Sequence, residues 1–169
     1  MMTGNLRLTD FMQVCAGIKP VDLNDAAQAG DWVSMKNYAR MAIVFFGKVG
    51  SAGTDITFTV EQATAVAGTG AKALTFTEVF TKEGADLLAI GAFTKVTQAA
   101  ANTYTSTNNE QLDQIIVIDI KAEDLDIAND FDCVRLSVND PGAAKLGAAL
   151  YLLWEPRYGK EALVSAIVD

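Results

Sequence analysis

Alternation of apolar and polar residues marks most of the chain beyond its first 35 residues. Residues 56–60 (ITFTV) place Ile56, Phe58 and Val60 on one side and threonines on the other, which is the period of a half-buried β-strand. Residues 131–138 (FDCVRLSV) alternate in the same way. Turn residues separate these runs, so the pattern predicts consecutive antiparallel strands.

Two further predicted strands carry apolar residues on both faces. Residues 40–49 (RMAIVFFGKV) form the most apolar run, which predicts a strand that is covered on both faces. In residues 114–120 (QIIVIDI), isoleucines share one face, while Ile115 and Val117 share the other face until Asp119.

The remaining segments give weaker signals. Residues 74–80 (LTFTEVF) lose their alternation near Glu78, which predicts a β-bulge because one extra residue moves later side chains to the other face. Residues 122–129 predict a helical turn. Candidate strands also cover residues 87–96, 103–107 and 146–155, with Pro156 ending the last one and residues 139–142 (NDPG) forming a turn.

Roughly seven to nine strands at this spacing leave little room for helices and predict an all-β fold. We expect a β-sandwich or jelly-roll-like antiparallel domain at residues 36–158. Residues 1–35 lack a clear period and predict an irregular N-terminal arm, and residues 159–169 predict a short C-terminal tail.

Composition narrows the function classes. The chain has 169 residues, half of them hydrophobic, and a net charge of −8, which fits one globular domain. The acidic balance repels phosphate backbones, so we expect no nucleic-acid partner. No apolar run approaches the length of a bilayer span and no secretory signal is visible, so we expect no membrane partner and synthesis in a cytoplasm.

Histidine is absent, which removes Ser-His-Asp and Cys-His nucleophile systems and histidine metal ligands. The two cysteines are too few for a disulfide-stapled domain. Cys133 lies in an apolar strand pattern and is predicted to be buried, whereas the pattern does not place Cys15. We therefore expect a non-enzymatic protein with no catalytic residues, no cofactor and no metal.

Acidic residues offer two chemical hypotheses. The stretch that contains Asp119, Glu123, Asp124, Asp126, Asp130 and Asp132 is rich in calcium-type ligands, but its spacing fails the EF-hand pattern, and a solvated turn is favoured. Glycosidases use paired carboxylates, and the candidates are Asp119, Glu61, Glu78 and Glu155. Exposed strand positions explain these carboxylates better.

Aromatic residues offer a third hypothesis. Trp32, Trp154 and Tyr158 are candidates for a sugar-stacking platform. Aromatic residues at the end of a strand pack on the core or at an interface more often, so packing or an interface is favoured.

Several segments together resemble small proteins that tailed bacteriophages encode beside their major capsid protein. The segments are residues 22–23 (DL), 29–38 (AGDWVSMKNY), 43–46 (IVFF), 60–63 (VEQA), 72–74 (KAL), 131–135 (FDCVR) and 150–158 (LYLLWEPRY). The resemblance covers roughly residues 20–158 and implies a capsid decoration, or cement, protein on the outer capsid surface of the virion. It also implies a β-rich fold, the major capsid protein as partner, and self-association as a dimer or trimer.

Candidate interface residues follow from the arm and the aromatic positions. Ordering an arm costs about 1–2 kcal/mol per residue in backbone entropy, so its apolar side chains must bury themselves to offset that cost. The candidates are Leu6, Leu8, Phe11, Met12, Trp32, Trp154 and Tyr158. Other virion roles (a tail tube, a head–tail connector or a head-fibre base) and a carbohydrate-binding β module stay open as alternatives.

Overall fold

The structure, a computed structural model, describes residues 7–53, 55–107, 112–157 and 163–168. One helical turn, α1, precedes the strands, and three short 3-10 turns lie between them. In chain order the elements are α1 (Leu8–Phe11), β1 (Met12–Asp22), β2 (Gln28–Ala29), β3 (Val33–Ser34), β4 (Tyr38–Gly47), β5 (Ile56–Ala63), β6 (Lys72–Ala73), β7 (Phe76–Gly84), a 3-10 turn (Leu87–Ala89), β8 (Thr94–Ala101), β9 (Thr103–Ser106), β10 (Asp113–Lys121), 3-10 turns (Ala122–Asp124 and Ile127–Asn129), β11 (Cys133–Val138) and β12 (Leu146–Pro156).

Two antiparallel sheets make up the fold. The first sheet has the strand order β1-β12-β4-β10-β7-β8, so the first and last long strands of the chain are neighbours. The second sheet has the order β2-β11-β5-β6, with β3 also pairing with β11 and β9 with β5. The expected all-β, sandwich-like architecture is confirmed.

The core lies between the two sheets. Alternation along β4 points Ile43 and Phe45 inward, and alternation along β5 points Phe58 and Val60 inward to meet them. The rings of Phe45 and Phe58 meet edge to face, with their centroids 4.9 Å apart. The half-buried pattern that the sequence indicated at residues 56–60 is confirmed.

Several local predictions are confirmed. The pairing of β7 with β8 shifts register between Phe76 and Glu78, where the sequence predicted a bulge. Residues 122–129 contain two 3-10 turns, and Cys133 is fully buried.

The N-terminal arm is a correction. From Met12 onward it is not irregular, because Met12–Asp22 is a full strand paired with β12, and β2 and β3 also lie within residues 1–35. Register shifts between Ala16 and Ile18, and between Ile18 and Val21, interrupt the period of two and hide the strand from pattern analysis. The tail also returns to the domain, since Ala166 is buried and its carbonyl accepts a 2.6 Å bond from the Ser34 N–H.

The candidate strand at residues 87–96 is also a correction. The Asp86 carboxylate accepts a 2.9 Å hydrogen bond from the Leu88 N–H, and residues Leu87–Ala89 form a 3-10 turn. The strand begins only at Thr94. A side-chain bond to a nearby backbone N–H competes with the strand ladder, and this explains the change.

Candidate functional site

The first sheet has an apolar outer side. On its middle strands, the residues that alternate with the core positions point away from the second sheet. Arg40, Lys82 and Asp119 among them are charged, and they border a set of uncharged side chains. We call this set the outer face, and it consists of Val14, Ala16, Ala42, Val44, Phe46, Phe80, Ile115, Val117, Ala148, Leu150 and Leu152.

Strand register arranges the outer face in rows. One row runs from Ala148 through Phe46 to Ile115, and the next contains Leu150 and Val44. Directly opposed residues have Cβ atoms about 4.5–5.5 Å apart, so the rows form a continuous apolar surface. Phe46 is 57% exposed, Leu150 45% and Val14 42%, which are high values for side chains of this kind.

The second sheet differs in chemistry on its outer side. There Thr57 pairs with Thr105 through hydroxyl groups 3.0 Å apart, and Arg135 donates a 2.7 Å hydrogen bond to Glu61. Ser137 continues the polar pattern. An antiparallel sheet with one solvated face usually carries polar residues on that face and apolar residues on the face toward the core. Of the two sheets, only the second follows this pattern.

The apolar run at residues 40–49 is therefore not covered as predicted. The sequence predicted burial on both faces, but within the described part of the chain only the side that carries Ile43 and Phe45 is buried against the second sheet. On the other side Val44 is half-buried and Phe46 is exposed. The composition of β4 is typical of a strand that is buried on both faces, whereas only one of its faces is buried.

Four of the interface candidates meet at one end of the outer face. Met12 lies directly opposite Trp154 across the β1–β12 pair, and both point outward. The turn Leu8–Phe11 leads into β1 and contacts β12, and Leu8 is 53% exposed. We call Leu8, Phe11, Met12 and Trp154 the Trp154 corner.

A cleft of about 650 Å³ adjoins the Trp154 corner. Its lining includes Trp154 and Phe80 together with the charged residues Arg40, Glu78 and Asp119. Two of the proposed glycosidase carboxylates therefore share one depression with Trp154, one of the three residues of the proposed aromatic platform, and sequence spacing alone did not predict this.

Charge in the cleft is partly desolvated. Burial raises the pKa of the Asp119 carboxyl, the Arg40 guanidinium opposes that effect, and the Glu78 carboxylate adds to it. Arg40 also lies 3.6 Å from the Glu155 carboxylate, and Glu78 is paired with Lys95. The cleft can thus accept polar groups from a ligand, while its Trp154 and Phe80 walls offer apolar contact.

The other candidates lie elsewhere. Trp32 is only 7% exposed and packs with Ala63, Cys133 and Val66 inside the domain, where the Arg135 guanidinium stacks on its ring at 4.6 Å. It is therefore not a surface contact of the domain. Leu6 and Tyr158 lie outside the described residues.

Acidic residues of the 119–132 stretch mostly bond to their own loops. Asp126 bonds to Lys72 and Asn129, which lowers its pKa, and Asp124 accepts a 3.0 Å bond from the Lys121 N–H. Asp132 accepts a 3.1 Å bond from the Cys133 thiol. Among the described residues no group of three or more His, Cys, Asp or Glu side chains is placed to hold a metal ion.

No protein family matches the sequence, and a search among curated proteins finds no significant match. Within the described residues no helix has both the length and the apolarity to cross a membrane. The site therefore has to be interpreted from its own chemistry.

The outer face as a whole was missed by sequence reasoning. Ile115 and Val117 were correctly placed on one face of a strand, and the run at residues 40–49 was correctly seen as two-sided. What the pattern lacked was the strand order, which puts β4 between β10 and β12 and joins their outward residues into one surface.

Proposed function

We propose that this protein is a non-enzymatic structural component of a tailed-bacteriophage virion. In this role it binds the outer surface of the capsid and stabilises contacts between neighbouring capsomers. The proposal combines the sequence resemblance with the surface chemistry of the domain. The observation that carries it is the Trp154 corner, where Leu8, Phe11, Met12 and Trp154 gather apolar surface at one end of a sheet.

The mechanism needs only buried area. Aromatic residues and methionine are enriched in protein interfaces, where about 25 cal/mol is gained per Å² of apolar surface removed from water. A corner at the end of a sandwich can insert between two capsid subunits. Both capsid subunits then bury apolar surface against the same protein. Separating the subunits exposes that surface to water again, which raises the free energy of separation.

Cryo-electron microscopy of the virion that encodes this chain tests the proposal. Density at capsomer junctions on the outer shell, with the Trp154 corner against the capsid, is the expected result. Density confined to the tail or neck would transfer the protein to a tail-tube, connector or head-fibre role. Absence from the particle would overturn the virion assignment.

Capsid cosedimentation adds a residue-level test. Trp154→Ala should weaken binding to purified capsids at least about tenfold, because a central interface aromatic typically contributes 2 kcal/mol or more. Leu88→Ala is the matched control, since Leu88 is 97% exposed in the Leu87–Ala89 turn, outside the Trp154 corner. Equal binding by the two variants would contradict a role for the corner.

A carbohydrate-binding module is the second candidate, and the cleft beside Trp154 is the observation that favours it. An indole beside Arg40, Glu78 and Asp119 offers a stacking surface and hydrogen-bond partners for sugar hydroxyls. Binding on a glycan array that is lost in Trp154→Ala and kept in Leu88→Ala would support this function. An array without binding would leave the cleft as part of the capsid contact.

A further inference from the structure

We propose that the cleft beside Trp154 is a slot between β7 and β10, which binds an extended peptide segment that carries a basic side chain. The segment lies between the two strands and continues the first sheet across the slot. The inference deepens the proposed function, on which the source of the segment rests, because the capsid protein then supplies it. Binding of the peptide itself can be measured without capsids.

The first argument is an opening in the first sheet. The pairing of β7 with β10 ends at Val117 and Phe80, although both strands continue beyond that point. There, within the described part of the chain, residues 118–121 pair with β4 alone, and Phe76 and Glu78 pair with β8 alone. Two strand edges therefore face each other without pairing. An inserted strand offers N–H and C=O groups on both of its edges, which is what two facing edges require.

The second argument is the size and the floor of the slot. Its volume of about 650 Å³ lies within the range of about 300–1,000 Å³ that is usual for ligand sites. Residues 118–121 span about 13 Å as a strand, which gives room for about four residues of an extended peptide. The buried side chains of Phe76 and Ile120 line the slot from the core side, so the inserted backbone rests on an apolar floor.

The third argument is an unmatched negative charge. Glu78 pairs with Lys95, and Arg40 lies 3.6 Å from the Glu155 carboxylate. The Asp119 carboxylate also lines the cleft, but it makes no hydrogen bond or ion pair with any residue that the structure describes. A cation from the ligand supplies the missing partner, and the net charge of −8 attracts basic segments over longer distances.

The fourth argument is that Asp119 opposes folding where it stands. Burial raises the pKa of its carboxyl, so the ionised form is unfavourable in the folded chain. Carboxylates of this kind are concentrated at functional sites, where a ligand charge offsets their desolvation. Trp154 and Phe80 line the same opening, and aromatic faces attract guanidinium and ammonium groups.

These features favour a peptide over a sugar as the ligand of the cleft. A neutral sugar leaves the charge of Asp119 unmatched. It also lacks the regular alternation of donors and acceptors that two antiparallel strand edges present. A basic peptide satisfies both requirements at once.

Peptide arrays probed with the purified full chain test the inference. The probes are pentapeptides whose central residue is Arg, Lys, Ser or Glu and whose flanking residues are drawn from Thr, Val, Ala and Leu. Peptides centred on Arg or Lys should bind. The matching Glu-centred peptides should bind at least about tenfold more weakly, because they lose a charge-assisted hydrogen bond and bring like charges together. Fluorescence anisotropy with the best peptide should give a saturable dissociation constant below about 1 mM.

Methylation of the peptide nitrogens isolates the strand pairing. A methyl group removes a backbone donor and leaves the charge of the peptide unchanged. Because an inserted strand pairs on both edges, methylation of either alternate set of nitrogens should weaken binding at least about tenfold. Sensitivity of one set alone would indicate a peptide on the edge of the sheet and not in the slot.

A charge-removing variant tests the role of Asp119. Asp119→Asn should weaken binding of the Arg-centred peptide about tenfold and remove most of its advantage over the Glu-centred peptide. Asp25→Asn, which removes the same charge at an exposed loop position outside the cleft, should leave both affinities unchanged. Circular dichroism and thermal unfolding check that both variants are folded.

Several outcomes would overturn the inference. These are no saturable binding of any Arg- or Lys-centred peptide, equal binding of Arg- and Glu-centred peptides, and binding that ignores methylation. Glycan binding that depends on Trp154, without peptide binding, would assign the cleft to sugars. Capsid cosedimentation separates this failure from failure of the proposed function. A protein that binds peptides but no capsid refutes only the capsid as the source, and one that binds capsids but no peptide refutes only the slot.

Discussion

The hydroxyl of Tyr151 accepts a 2.9 Å hydrogen bond from the backbone N–H of Leu136 and so joins the two sheets through the core. Tyr151 belongs to β12 in the first sheet, and Leu136 belongs to β11 in the second. Leu136 lies between the residues of β11 that pair with β2 and those that pair with β3. Its carbonyl accepts a 2.8 Å hydrogen bond from the Gly30 N–H, and its own N–H is served by the Tyr151 hydroxyl. A tyrosine from the opposite layer thus occupies the position of a missing strand residue.

Tyr151→Phe should lower the free energy of unfolding by about 1–3 kcal/mol, because it leaves a buried backbone N–H without a partner while it keeps the packed ring. Chemical denaturation with matched m-values measures the change. Tyr104→Phe is the control, since the Tyr104 ring also packs on the core and its hydroxyl makes no hydrogen bond among the described residues. Equal effects in both variants would contradict the inter-sheet role.

Alkaline pH should report on the same residue. Burial raises the pKa of the Tyr151 hydroxyl well above its ordinary value, which is about 10. Above pH of about 10 the unfolded chain releases this proton and the folded chain keeps it, so stability contributed by the neutral tyrosine is lost as pH rises. Tyr151→Phe should therefore show a shallower decline in unfolding free energy above pH of about 10 than the wild type.

Asp119→Asn should stabilise the domain at pH 7, by less than about 1 kcal/mol because the carboxylate is partly exposed. Burial raises the pKa of Asp119 in the folded state, so ionisation opposes folding. The gain should vanish below pH of about 3.8, where the carboxyl is protonated in both states. Asp25→Asn, at an exposed loop position, is the control. A gain that persists at low pH would contradict a charge effect.

Two glycines with left-handed backbones make a matched pair. Gly142 has φ of 66° and nothing within 4 Å of an added Cβ, so Gly142→Ala should cost about 1–2 kcal/mol for the backbone alone. Gly68 has φ of 77°, and an added Cβ would lie 2.6 Å from Trp32 Nε1. Gly68→Ala should cost roughly 1–3 kcal/mol more because Trp32 has to move. Thermal unfolding of both variants measures the difference, and equal losses would refute the close approach.

Both cysteines should resist modification in the folded protein. Cys15 is 7% exposed and Cys133 is fully buried, and burial together with the Asp31 carboxylate raises the pKa of the Cys15 thiol. Because the thiolate is the reactive form, labelling with a disulfide reagent should be at least about a hundredfold slower than in the urea-unfolded chain. Fast labelling of the native protein would show that one of the thiols is accessible.

Local chemistry explains which parts of the fold pattern analysis predicted. The threonine alternation at residues 56–60 and the lost alternation near Glu78 both arise within a few residues of sequence. Pattern analysis did not predict strand β1, because register shifts near Ala16 and Ile18 interrupt the alternation of its side chains. It did not predict the turn at Leu87–Ala89, because that turn depends on one hydrogen bond to the Asp86 carboxylate. The sequence predicted individual residues of the site but not that they lie together. Met12 and Trp154 are far apart in sequence and become neighbours only through the pairing of β1 with β12.

The sequence by itself determined the β class, the helical turns within residues 122–129, the buried Cys133 and the two-sided apolar character of residues 40–49, because side-chain alternation and turn propensity act over short distances. Only the tertiary structure decided which side of β4 is covered, that β1 closes the sheet against β12, and that Trp154 stands beside Met12 and the cleft. Those relationships depend on the order and register of strands that are distant in the chain. Many pairings are compatible with the same local pattern, and packing of the whole core selects one of them.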